Sequence, residues 1–344
     1  MKHFWIFILI LINIKASLGC ENSNEALAFT NPTIKYNGLS LTSTKNPLEK
    51  NHVEHITTVN SNAITLMPFA FLQSLNSPNV RFNEDWQWFG ETSKGIEQYI
   101  DQLKKHHLKI MLKPQLWVKR GDYTGLIIMN SEEDWITLET SYKAYILEFA
   151  RIAEKHNIEI LCIGTELEKF VSDRTEFWSQ LISEIKKIYN GKLTYAANWD
   201  EYNKIPIWEH LDYIGIDAYF PLNNVKTPNK TDLKTAWQPH KNEIIKVNSL
   251  YNKPILFTEF GYRSIDYTTH KPWDSSHIEG MFNSEAQAIA LVAIYNEFWV
   301  ETWFAGGFLW KWHPNHSNSG GNENNRFTLQ NKPAEELLKQ LYAN

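Results

Sequence analysis

Two glutamates close two apolar runs of this chain. Glu166 ends Ile-Leu-Cys-Ile-Gly-Thr-Glu (160–166), and Glu259 lies within Pro-Ile-Leu-Phe-Thr-Glu-Phe-Gly-Tyr (254–262). A carboxylate at the end of a buried strand is costly unless it is paired or at work. Two of them in like settings suit one kind of chemistry, the cleavage of a glycosidic bond. One carboxyl, protonated, donates to the leaving oxygen, and a second, ionised, acts at the anomeric carbon.

Such a pair needs a scaffold that aims both acids into one space. Eight β-rich runs occur at 34–41, 63–69, 108–115, 159–166, 192–198, 213–219, 254–259 and 307–310. Several are nearly continuous apolar segments, the pattern of strands buried on both faces. Helical stretches separate them at 94–106, 131–156, 175–189, 232–250 and 284–299, and another closes the chain at 333–342. Ser93 is the expected cap of the first, whose Ile96, Tyr99, Ile100 and Leu103 form one apolar stripe. Ser131 and Asp134 resemble a capping box for the second.

Eight strands alternating with helices predict a single α/β domain, a (β/α)8 TIM barrel over 34–344. The rival is an open doubly wound sheet, but no Gly-rich phosphate fingerprint follows any strand. The longer connections, 71–93, 117–131, 262–284 and 311–331, all follow strands. They belong at the C-terminal face, where barrel active sites are built. Glu166 then ends the fourth strand and Glu259 the seventh, both facing one mouth. Lys113 and Gln115 end the third, where Lys113 is placed to meet a sugar hydroxyl, a catalytic carboxylate or a structural salt bridge. Trp117, Trp199 and Trp312 lie just past strands three, five and eight, as stacking platforms for sugar rings or as loop packing.

The gross properties agree. The 344 residues are 43% hydrophobic, enough for a large core, and the net charge of -5 offers no basic surface to nucleic acid or an anionic membrane. Aromatic residues make up 14%, with 14 Trp, a bias that suits sugar handling. Residues 1–19 read as a signal peptide, with Lys2, an apolar run at 4–12, and Ser17-Leu18-Gly19 before Cys20. Cys20 is the expected lipidation site of an exported lipoprotein at the cell surface or in the periplasm. Ser17 stands where such signals usually carry Leu, and plain secretion is the alternative. Loss of this segment removes Lys2 and Lys15 and no acid, so the remainder is more acidic still. Residues 20–33 read as a polar tether. Cys162, mid-strand, reads as a buried inert thiol, and a lipidated Cys20 leaves it no disulfide partner.

Seven segments carry a family resemblance. They are Arg81-Phe-Asn-Glu-Asp-Trp-Gln-Trp, Met111-Leu-Lys-Pro-Gln-Leu-Trp, Ile163-Gly-Thr-Glu-Leu, Ala197-Asn-Trp-Asp, Gly215-Ile-Asp-Ala-Tyr-Phe-Pro, Phe257-Thr-Glu-Phe-Gly-Tyr-Arg-Ser and Gly307-Phe-Leu-Trp-Lys-Trp. Together they resemble glycoside hydrolase family 113, in the clan of retaining glycosidases with glutamates on strands four and seven. The resemblance implies β-1,4-mannan as substrate, Glu166 as acid and base, Glu259 as nucleophile, and neither metal nor cofactor. It implies that Tyr219 hydrogen-bonds the nucleophile and that Trp310 floors the subsite of the cleaved sugar. The clan usually has Asn before its acid/base, to hold the sugar 2-hydroxyl; this chain has Thr165. A Thr hydroxyl is shorter and offers one donor, so Asn198 at the fifth strand end is the candidate to take over that contact.

Other acids are weaker candidates. Glu168 is expected in the loop after strand four, and Glu84, Asp85, Glu91 and Asp200 in loops that shape the cleft. Arg263 is expected to order the loop after Glu259. A metal-dependent barrel hydrolase would need clustered ligands at strand ends, whereas the twelve His are scattered. A non-catalytic glycan-binding lipoprotein would have no use for both glutamates. A β-1,4-glucanase or another hemicellulase is the alternative within the same chemistry.

Overall fold

The computed structural model describes residues 34–275 and 280–343. The expectations for the signal peptide, Cys20 and the tether lie outside the described residues. Eight parallel strands close into a barrel. They are β1 (Tyr36–Leu41), β2 (Ala63–Leu66), β3 (Lys109–Leu112), β4 (Ile160–Thr165), β5 (Lys192–Asn198), β6 (Ile214–Asp217), β7 (Ile255–Phe260) and β8 (Phe304–Trp312). Each strand pairs with its neighbours in the sequence, and β8 closes on β1.

The helices cover the outside. They are α1 (Lys50–Thr58), α2 (Ser93–Lys104), α3 (Glu132–Lys155), α4 (Glu168–Asp173), α5 (Thr175–Ile185), α6 (Lys230–Tyr251), α7 (Ser284–Phe298) and α8 (Pro333–Tyr342). Thr92, one residue before the expected Ser93, caps α2 by accepting the Gly95 N–H. Ser131 caps α3 through the Asp134 N–H. Strand residues alternate between two cores, as the two-residue period of a closed sheet requires. Ala63, Met111, Ile160, Cys162, Ala196, Leu256 and Phe308 pack on one another as the barrel interior. Their neighbours, such as Ile64, Ile110 and Leu161, pack in the much larger outer core with the helices. Cys162 is fully buried in the barrel interior, and burial pushes its thiol up to about 12, which leaves it inert.

Two prolines shape the mouth. Runs two and three were expected to continue to residues 69 and 115, but the barrel ladder stops at Leu66 and Leu112. Pro68 and Pro114 have no N–H to donate to a ladder. Beyond them the chain resumes as a small parallel ribbon, Phe69–Leu72 against Gln115–Val118. Tyr145 of α3 pins this ribbon from below, its hydroxyl donating to Pro68 O at 2.9 Å and Gln115 O at 3.1 Å. Run eight extends beyond expectation, to Trp312, whose carbonyl accepts the Thr42 N–H at 2.9 Å.

Closure rests on a tight contact between β1 and β8. Gly306 pairs with Tyr36 at a φ of 120°, and a Cβ there would lie 2.4 Å from Tyr36 N and O. Gly306→Ala should therefore cost about 2–3 kcal/mol of stability. A urea unfolding curve should show a lowered midpoint, and an unmoved midpoint would contradict this account of closure.

Candidate active site

The strand ends that carry the two glutamates are irregular. The β4–β5 ladder shifts register between Cys162 and Thr165, and Glu166 follows with a φ of 50°. That left-handed conformation costs a non-glycine residue about 1 kcal/mol. It is held by the Glu166 N–H donating to Ala196 O at 2.8 Å, and by Thr124 Oγ1 donating to Glu166 O at 3.1 Å. The β6–β7 ladder likewise shifts at Asp217, which pairs with Glu259. Irregularities of this kind re-aim side chains next to active sites.

Both glutamates line one cavity of about 580 Å3 at the C-terminal mouth. Glu259 is 7% exposed. Its Oε1 accepts Lys113 Nζ at 2.5 Å and Gln115 Nε2 at 3.3 Å, and its Oε2 accepts the Tyr219 hydroxyl at 2.9 Å. Glu166 is half-buried across the same space. Burial, then the charges of Asp217 and Glu259, push its carboxyl well above the ordinary range, against the opposing pull of Lys113.

Lys113 is fully buried and lies behind the cavity wall. It does not reach sugar, which corrects the expectation that placed it among the substrate contacts. Its ammonium donates to Asp217 Oδ1 and Oδ2 at 2.9 and 3.0 Å as well as to Glu259. Burial alone would lower its pKa, but the two carboxylates hold it above the ordinary value. Thr258 Oγ1 donates to Asp217 Oδ1 at 2.7 Å. Burial and the Glu259 charge nonetheless push Asp217 up to about 7.

Thr165, Asn198, Tyr219, Trp117 and Trp310 line the cavity as well. Thr165 Oγ1 is buried with no hydrogen-bond partner among the described residues. Asn198 Nδ2 donates to the Tyr123 hydroxyl at 3.1 Å, and its Oδ1 accepts the Trp199 N–H at 2.8 Å. Trp199 stands behind the wall, stacked at 5.0 Å on Trp273, and Trp273 faces the cavity instead. Trp312 corrects a second expectation. It is fully buried in the barrel wall because β8 runs on through it, so it offers sugar no face. Glu168 opens α4 rather than lying in a loop, and Lys204 approaches it at 3.8 Å. Arg263 Nε donates to Asn325 O at 3.1 Å, tying two loops together.

The cavity also holds residues that sequence reading passed over. Asp217, 1% exposed, ends an apolar run in the same way as the two glutamates, and that signal marks it. Tyr123, Trp273 and Phe327 come from loops without periodicity, and no local pattern points to them. Glu201 is fully buried behind Asn198, where its Oε1 accepts the Asn198 N–H at 2.8 Å. Burial raises its carboxyl to about 8. Among the described residues no cluster of three His, Cys, Asp or Glu is arranged to hold a metal ion.

A closed parallel barrel with two such carboxylates at its mouth defines a glycoside hydrolase. The family model for glycoside hydrolase family 113 matches residues 40–332, and the chain belongs to that family. It is similar in structure to a β-mannanase of family 113 from Alicyclobacillus acidocaldarius in complex with ManMIm. That protein is 20% identical, with 90% of this chain and 97% of that one covered at a TM-score of 0.78. A β-1,4-mannanase of the same family, also solved as a complex, is 22% identical, covering 90% and 99% at a TM-score of 0.76. A β-glucuronidase from Faecalibacterium prausnitzii is 15% identical, covering 90% of this chain and 49% of that one at a TM-score of 0.59. At these identities the likeness establishes the fold. None of the curated proteins compared with the chain matches it.

Lys113 is the testable centre of this arrangement. Lys113→Met would leave the carboxylates of Asp217 and Glu259 buried without a counter-charge, at a cost of about 3–5 kcal/mol. The urea midpoint should fall sharply and glycosidase activity should disappear. A stable, active variant would contradict the structural role given to the ammonium.

Proposed function

We propose that this enzyme hydrolyses β-1,4-mannosidic bonds with retention, Glu259 acting as nucleophile and Glu166 as acid and base. The observation that carries the proposal is the unlike treatment of two carboxyls in one cavity. Glu259 receives an ammonium, an amide and a hydroxyl. Glu166 has its proton favoured by burial and by neighbouring negative charge. Carboxyls whose environments differ in this way divide into nucleophile and acid.

In the first step Glu259 attacks the anomeric carbon while Glu166 protonates the departing oxygen. A glycosyl ester forms on Glu259, and its negative charge disappears. Glu166, now ionised, takes a proton from water as that water attacks the ester and frees Glu259. Tyr219 stays a donor to Glu259 because burial foremost, and the Glu259 charge before the ester forms, hold its hydroxyl well above the usual range. Trp310 and Trp117 offer indole faces to the sugars, and Asn198 offers a polar group.

Family membership supports mannan as the polymer, as do the two structural neighbours from family 113, both β-mannanases. The apolar run and Cys20 of the amino-terminal segment support export and a lipid anchor. A β-1,4-glucanase is the alternative, and product analysis on mannohexaose beside cellohexaose separates the two.

Glu259→Ala should abolish turnover, and azide should restore part of it with inverted product. Glu166→Gln should slow hydrolysis by roughly 10²–10⁴-fold on substrates with poor leaving groups. The wild-type rate should fall as pH rises through the elevated pKa of Glu166, and Glu166→Gln should lack that alkaline limb. Azide rescue of a Glu166 variant with inversion, and none at Glu259, would reverse the assignment.

A further inference from the structure

Beyond Trp310 lies a second cavity of about 530 Å3, which shares Trp117, Trp310 and Phe327 with the catalytic one. The two differ in sign. Glu166, Asp217 and Glu259 line the first, and among its described lining residues there is no Lys or Arg. Arg263, Lys311, His313 and Arg326 line the second, and among its described lining residues there is no carboxylate. A glycosidase acting only on neutral sugar has no evident need of such a division.

The cations are not equivalent. Arg263 is 3% exposed, donates to Asn325 O and feels the charge of Asp274, so it belongs to the framework. Lys311 and Arg326 are half-buried. Neither forms an ion pair with any described residue. Lys311 Nζ lies 5.3 Å from the centre of the Trp310 ring, against the indole that borders both cavities. Burial and then the Arg326 charge lower the Lys311 pKa, although Glu259 pulls the other way. Burial and the Lys311 charge push His313 down to about 4, so it is neutral and able to accept or donate one hydrogen bond. Like charges gathered in a half-buried concavity repel one another, and an anion entering it relieves that repulsion.

We propose that this pocket binds an anionic group, a carboxylate or a sulfate ester, on a sugar unit next to the one cleaved. The placement rests on the glycosidase reading, since Trp310 and Trp117 join the pocket to the catalytic cavity. The enzyme would thus select acid-bearing β-linked chains over wholly neutral ones. Lys311 acts as a point charge, and the Arg326 guanidinium offers the two-pronged donor that suits either anion.

Calorimetric titration of the full chain carrying Glu259→Ala, in which turnover is abolished, reads the pocket by binding alone. The ligands are three oligosaccharides with one neutral β-1,4 backbone, unsubstituted, carrying one uronic acid, or carrying one sulfate ester. At low salt an acidic ligand should bind about tenfold more tightly than the neutral one. That preference should fade at about 0.5 M NaCl and vanish in Lys311→Met and Arg326→Gln. Whichever anion is preferred identifies the group. Equal affinity for all three, or a preference that survives both substitutions, would overturn the proposal. The rate on the neutral backbone, which Arg326→Gln should leave unchanged, tests the catalytic reading separately.

Discussion

One ammonium group, Lys113 Nζ, sits between two carboxylates that come from distant parts of the chain. It reaches Asp217, 104 residues away, and Glu259, 146 residues away. Only barrel closure brings β3, β6 and β7 close enough for this contact. Removal of three charges from water is expensive, and the cost is offset only by short, well-directed contacts. Those contacts are made here from three sides, with Thr258, Gln115 and Tyr219 filling the remaining acceptor positions. Geometry and reactivity are therefore one problem. The ion cluster fixes the Glu259 carboxylate in place. Burial, and then the excess negative charge of the cluster, push the facing Glu166 carboxyl well above the ordinary range.

The frame around this cluster is irregular at the strand ends that present the acids, and also along β8 where the barrel closes. Two cores, inside the barrel and between barrel and helices, hold the strands in register over most of their length. Register shifts fall near Thr165 and Asp217, and the left-handed residue in that region is Glu166 itself. Strain of about 1 kcal/mol at such a point is small against a core of this size. Pro68 and Pro114 act in the same sense, ending the ladder so that Gln115 and Trp117 stand at the rim. Tyr145 fixes that break from beneath.

Much of this was legible in the sequence. Apolar runs separated by amphipathic helices gave the eight strands, and counting them placed Glu166 and Glu259 in one mouth. The fifth strand matches at both ends, 192–198. What failed did so where burial was decided by tertiary context. Lys113 looked like a rim residue because its run continued to residue 115. Pro114 instead ends the ladder there and leaves the ammonium inside. Trp312 looked like a platform because strand eight was expected to stop at Trp310. Two more residues of pairing carry it into the wall. Asp217 was within reach, since it ends an apolar run as the glutamates do. Tyr123, Trp273 and Arg326 lie on connections without a repeating pattern, and Lys311 on the unexpected extension of β8, so only the folded chain brings them together.

The central claim is that Glu259 becomes covalently bonded to sugar. A 2-fluoro-mannoside with a good leaving group should slow breakdown of the ester more than its formation, so the adduct accumulates. Peptide mass mapping after digestion should find one sugar mass added, on the peptide that carries Glu259. Label on Glu166 would contradict the account, as would turnover of the substrate with no labelled peptide and an inverted product.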